Sequence, residues 1–169
     1  MGAARNNSRQ SGVLNFRYAQ PADCAALSAL ALESKAAWRY PDSELEKWRS
    51  ALIVTPQSLA SPTIVAEDAS GLLGFAQVIA STVQWQLEHC WVRPSAMRRG
   101  IGRALVARAL EAVGEGGGGG VAIDADPHAE AFYLALGARR VGVVAAPIAG
   151  EPDRVRPQLW LPVPAGSAR

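Results

Sequence analysis

The stretch Arg98-Arg99-Gly100-Ile101-Gly102-Arg103 has the composition of an anion cradle. It runs straight into an apolar periodic segment, so its backbone N–H groups fall at a helix start. There the unsatisfied amides and the positive end of the helix dipole attract negative charge. Gly100 and Gly102 remove side chains that would hold a phosphate away from those amides. Between Trp91 and Leu110 lie five arginines (Arg93, Arg98, Arg99, Arg103, Arg108) and no acid. Such a run suits an anionic ligand, and it equally fits a solvated basic face. On spacing alone the segment is either a pyrophosphate cradle or a tight helix start. A dinucleotide-binding turn fails, because Leu105 stands where the third glycine belongs and seven residues separate Val92 from Gly100.

A second glycine run, Gly116–Gly120, is followed by no Lys-Ser/Thr and reads as a flexible connector. The two cysteines, Cys24 and Cys90, fall inside a predicted helix and strand and build no disulfide framework. With only His89 and His128 to add, no metal site is expected.

Those segments need a scaffold. The chain has 169 residues, 49% hydrophobic and 19% charged, which suits one globular domain with a sizeable core. A net charge of +2 is too small to argue for nucleic acid or an acidic membrane as partner, and neither is expected. No apolar run is long enough to span a bilayer. The polar start carries no signal-peptide core, and Asn6 stands where a myristoylation signal wants Ser or Thr. These features predict a cytoplasmic protein, monomeric or homodimeric, with a tail over 1–12, one domain over 13–163 and a second tail over 164–169.

Val13–Tyr18 reads as a strand, and Pro21 opens a helix with Leu27, Leu30, Ala31 and Ser34 on one face. Ser43-x-x-Glu46 resembles a capping box before a second helix. Thr63–Glu67 and Leu72–Ala80 flank the turn Asp68–Gly71 as a hairpin. Gln84–Val92 is a strand, Gly100–Val113 an amphipathic helix and Val121–Ala125 a buried strand. Asp126 caps a helix that Pro127 begins and Gly137 closes. Arg139–Ala145 and Gln158–Val163 end the chain as strands. The order predicts an α/β domain with a mixed sheet of about seven strands and helices on both faces.

Leu87–Pro94 followed by Met97-Arg-Arg-Gly-Ile-Gly102 resembles the acetyl-CoA-binding motif of the GNAT N-acetyltransferase superfamily, Q/R-x-x-G-x-G/A at a helix start. Asp126-Pro-His-Ala-Glu-Ala-Phe-Tyr133 with Gly137 is similar to the family's late helix. Met97 departs from the usual Gln or Arg, and Asp126 from a frequent Asn. The resemblance implies a GNAT-like fold, acetyl-CoA as acyl donor without a metal, and direct attack by a primary amine, with a small molecule as the expected acceptor. Acetylation of a protein N-terminus or lysine, or CoA binding without turnover, are the alternatives. It implies cofactor contacts from Cys90, Trp91 and Val92 on the strand, from Arg98, Arg99, Gly100, Ile101, Gly102, Arg103 and Ala104 at the helix start, and from Asp126 and Tyr133. Tyr133 matches the tyrosine that protonates the leaving thiolate. Glu88 and His89 are the candidate bases, and pleat alternation favours Glu88 by grouping His89 with Leu87 and Trp91. Acceptor contacts are expected from Glu33, Trp38, Tyr40 and Glu88, with Asp42, Glu44, Glu151 and Asp153 nearby.

Overall fold

The computed structural model describes residues 12–165, so nearly all of the first expected tail and most of the second lie outside the described residues. Seven strands form one sheet in the order β1-β2-β3-β4-β5-β7-β6. They are β1 (Asn15–Tyr18), β2 (Thr63–Asp68), β3 (Gly71–Ala80), β4 (Trp85–Val92), β5 (Gly120–Asp124), β6 (Arg139–Ala145) and β7 (Val155–Pro162). The helices are α1 (Cys24–Ala36), α2 (Asp42–Trp48), α3 (Ile101–Glu115) and α4 (Glu130–Ala135). All neighbouring strands are antiparallel except β4 and β5, which run parallel and are joined by the α3 crossover. None of the described helices is long and apolar enough to cross a membrane.

The sheet is covered on both faces. Leu27, Leu30 and Ala31 of α1 pack with Val65 and Phe75. Ile101, Leu105, Val106 and Ala109 of α3 pack with Ile64, Ala76, Val78 and Leu87. Burial on both sides explains why β2 opens with four buried residues in succession rather than an alternation.

Two expectations need correction. The second helix starts at Asp42 behind Pro41 with no side-chain cap, and Glu46 pairs instead with Arg49 at 2.8 Å. The glycine run after α3 is a folded cap rather than a connector. Gly117 takes φ +80°, its N–H donates to Gly114 O at 3.0 Å, and Gly118 N–H donates to Val113 O at 2.8 Å. That is a Schellman closure. Side chains are excluded here because a Cβ on Gly118 would lie 2.5 Å from Trp85 Cδ1, and one on Gly120 would lie 2.6 Å from Leu161 O.

Candidate active site

The site begins with a break in the sheet. β4 and β5 pair only at Trp85↔Val121 and Gln86↔Ala122, although β4 continues to Val92 and β5 to Asp124. Beyond those pairs the facing edge of β4 has no ladder partner, so its backbone groups are available to a ligand. A groove of about 500 Å³ opens on the α3 side, and a pocket of about 550 Å³ opens towards α2 and the β6–β7 connection. Leu87, Glu88, Trp91, Asp124 and Asp126 line both, so the two cavities meet at the gap.

Glu88 stands at that meeting point because β4 is bulged there. His89 pairs with Gln77 and Leu87 with Val78, leaving Glu88 as the extra residue. The bulge breaks the expected alternation: Leu87 joins Cys90 and Val92 in the α3-side core, while His89 tilts on Phe75 with ring centroids 5.6 Å apart. His89 is therefore not grouped with Leu87. Glu88 itself is exposed and makes no ion pair among the described residues.

Burial pushes His89 down to about 4, so its ring is neutral near pH 7. Its Nδ1 accepts the Trp91 indole N–H at 3.1 Å, which occupies the lone pair that a base would need.

The α3 groove is built from the strand end and the helix start. After β4, the turn Pro94–Ala96 is tied to the β2–β3 hairpin: Arg93 N–H donates to Leu73 O at 2.7 Å, and Arg99 approaches Asp68 at 3.7 Å. Gly100 caps α3 at φ +79°, a conformation that costs most other residues about 1 kcal/mol. The first i→i−4 bond runs from Ala104 N–H to Gly100 O, leaving the amides of Ile101, Gly102 and Arg103 without helical partners. A Cβ on Gly102 would lie 3.2 Å from the Phe132 ring and 3.7 Å from Val92, so this glycine lets α4 close against α3.

Phe132 meets Tyr133 edge to face at 5.0 Å, and Trp38 stacks on His128 at 5.0 Å where both line the groove. Tyr133 is buried, with its hydroxyl against the Cys90 thiol. Burial, with the Cys90 side chain against the hydroxyl, holds the phenol well above a tyrosine's usual value, so it stays protonated. Burial likewise pushes Cys90 up to about 11, and it remains a thiol.

Residues 27–145, well over half the chain, match the acetyltransferase (GNAT) domain family. The chain belongs to the GNAT acetyltransferase family. Membership makes it an acetyl-CoA-dependent acyltransferase. Among solved structures it is similar to a GCN5-related N-acetyltransferase from Rhodopseudomonas palustris, at 21% identity and TM-score 0.69, covering 88% of this chain and 94% of that one. It is similar to yncA of Salmonella typhimurium, solved with its cofactor acetyl-CoA, at 18% identity and TM-score 0.67, covering 93% and 98%. The ribosomal-protein-S18-alanine N-acetyltransferase of Escherichia coli gives 16% identity and TM-score 0.68, covering 89% and 94%. No curated protein sequence matches the chain.

The GNAT groove gathers most residues that the motif implied. Cys90, Trp91, Val92, Arg98, Gly100, Gly102, Arg103, Asp126 and Tyr133 all line it. Ile101 and Ala104 do not; Ile101 points into the core, so its amide is what it offers. Arg99 is also off the lining, held towards Asp68, and Arg108 covers the Phe16 ring at 3.8 Å. Much of the basic run is thus scaffold. Free amides, two glycines and exposed Arg98 and Arg103 together fit a pyrophosphate-bearing thioester.

The expected acceptor contacts fare differently. Glu33 pairs with Arg93 at 2.8 Å and lines neither cavity, and Trp38 lines the groove rather than the pocket. Tyr40 is buried behind the pocket, donating to Asp126 at 2.9 Å, and burial raises its phenol to about 12. Asp42, Glu151 and Asp153 are exposed outside both cavities, whereas Glu44 lines the pocket and pairs with Lys47 at 2.7 Å. Asp126 caps its helix by accepting His128 N–H at 3.0 Å, and Lys35 holds the same carboxylate at 2.5 Å. Its oxygens are committed to that cluster rather than free for a pantetheine amide.

Sequence reasoning missed Lys35, Arg154 and Arg156, all on the pocket wall. The signal was Arg154-Val-Arg156, whose i, i+2 spacing sends both side chains to one side of an extended chain.

Proposed function

We propose that this enzyme acetylates the primary amine of a small molecule, with the donor in the α3 groove and the acceptor in the β6–β7 pocket. The observation that carries this reading is the junction of the two cavities at the β4–β5 gap, with exposed Glu88 beside it. Two substrates approaching from opposite faces of the sheet meet there without a covalent relay.

Acetyl-CoA supplies the acetyl group as a thioester. The amides at the start of α3, with Arg98 and Arg103, bind its phosphates, and the unpaired edge of β4 near Cys90–Val92 orients the pantetheine arm. Glu88 attracts the incoming ammonium and takes its proton, directly or through a water, because only the free amine is nucleophilic. The amine nitrogen then bonds to the carbonyl carbon as the carbon–sulfur bond breaks. Tyr133, kept protonated by burial, gives its proton to the departing sulfur; the nitrogen's second proton restores the phenol, and Glu88 releases the first to solvent. The pocket is a half-open cleft of about 550 Å³, a size suited to a small molecule.

Release of free CoA thiol from acetyl-CoA should be followed across a panel of small amines and an amine-terminated peptide, with mass spectra of the products. Amine-dependent release with a singly acetylated small molecule is expected. Release driven only by the peptide would make this a protein acetyltransferase, and tight CoA binding with no release would make it a binding module.

A further inference from the structure

The β6–β7 pocket carries more charge than an ammonium group needs. Its ionic side chains are largely paired: Lys47 with Glu44 at 2.7 Å, and Arg156 with Asp124 at 2.7 Å. Two cations share one remaining carboxylate, for Lys35 and Arg154 both face Asp126, at 2.5 and 3.9 Å. This end of the pocket therefore holds one positive charge in excess, while Glu88 is the carboxylate left without a cation among the described residues.

Arg154 is only 6% exposed, yet its hydrogen bonds run to neutral oxygens, Ala146 O at 2.9 Å and Tyr40 Oη at 3.1 Å. A guanidinium buried without a carboxylate in hydrogen-bond contact is costly unless an anion completes it. Beside it, Arg156 has a buried Nε with no partner among the described residues, while its side chain as a whole is partly exposed. Both arginines line the pocket, Arg154 immediately before β7 and Arg156 at its start, and β5 separates that strand from β4. The β4–β5 ladder has ended by Glu88, so Glu88 and this basic wall stand at least two strand spacings, about 10 Å, apart at the backbone.

We infer that the acceptor is a primary amine that also carries an anionic group, a carboxylate or a phosphate, with the ammonium end at Glu88 and the anion at Arg154 and Arg156. This rests on the proposed amine acetylation and names the acceptor's class. Paired anion and cation sites at the two ends select against simple alkylamines, which leave the excess positive charge of the basic wall uncompensated, and against diamines, which that wall repels.

The test compares kcat/KM for alkylamines of one chain length ending in methyl, amino, carboxylate or phosphate, in the intact enzyme and in Arg156→Gln. The anionic amines should exceed the neutral one by about tenfold or more, the size of one charge-assisted hydrogen bond. A gain with either anion supports the assignment, and the larger gain identifies the group. In Arg156→Gln the ratio should fall towards one while KM for acetyl-CoA stays unchanged. Glutarate should also compete with the amine in the unmodified enzyme, a readout that does not depend on how the variant folds. Neutral amines or diamines used as well as anionic ones, or glutarate without effect, would overturn the inference and leave amine acetylation standing. An enzyme that acetylates no amine would overturn both.

Discussion

Replacing Asp126 by Asn separates two roles that the sequence left joined, cofactor contact and structural anchor. Asp126, Lys35 and Arg154 have side-chain exposures of 10%, 12% and 6%, so the ion pair is close to fully desolvated. Removing one member of a buried pair costs about 3–5 kcal/mol, because the partner charge stays behind. For a chain of this size each kcal/mol is worth about 2–4 °C in Tm, so Asp126→Asn should melt about 6–20 °C lower. Burial already holds Lys35 below a lysine's usual value, and losing Asp126 lowers it further. The deficit should therefore shrink as pH rises and Lys35 gives up its proton. Adding Lys35→Met removes the stranded cation and should restore a large part of the loss. The assay is thermal unfolding of the single and double variants at neutral and alkaline pH, with KM for acetyl-CoA alongside. A melting point within a degree or two of wild type, or no rescue by Lys35→Met, would refute the reasoning. A large rise in KM for acetyl-CoA without loss of stability would return Asp126 to the cofactor.

Gly118→Ala should lose about 1–3 kcal/mol in urea unfolding, because its Cβ would sit 2.5 Å from both Trp85 and Val113. Gly119→Ala, with open space around the Cβ, should change little. Tyr133→Phe should lower turnover about 10²–10⁴-fold under conditions where chemistry limits the rate, and weaken acetyl-CoA binding much less. His89, depressed to about 4, contributes stability that is complete above its unfolded pKa of about 6.5 and is lost as pH falls towards 4, by about 3 kcal/mol. Urea midpoints at pH 7 and 4 should show that slope in the wild type and lose most of it in His89→Gln.

The fold was legible because each element carried its own period. Leu27, Leu30 and Ala31 mark one helix face, Ile101, Leu105 and Val106 another, and both faces are buried where expected. The groove was legible because helix starts and glycines bind anions by local geometry that a short segment specifies. The acceptor pocket was not. Its wall is assembled from α1, α2, β4, β5 and the β6–β7 connection, and no local spacing records which charges meet. Pro157 hid the start of β7, since proline argues against an inner strand; here its carbonyl accepts the Ala125 N–H at 3.0 Å. With the strand begun at Gln158, the Arg154 and Arg156 pair fell into a loop. The glycine run misled for a related reason, because what it accommodates is Trp85, more than thirty positions earlier in the chain.

The central claim is that acetyl transfer occurs at the β4–β5 gap, with Glu88 as the proton acceptor. Its most direct test is the pH dependence of kcat/KM for Glu88→Gln beside the wild type, with an amine that the wild type acetylates. Glu88→Gln should fall about 10²–10⁴-fold near neutral pH and recover in part as rising pH deprotonates the free amine. His89→Gln should keep the wild-type profile. A Glu88→Gln enzyme with wild-type rate and profile, or a His89→Gln enzyme that loses the basic limb instead, would contradict the account.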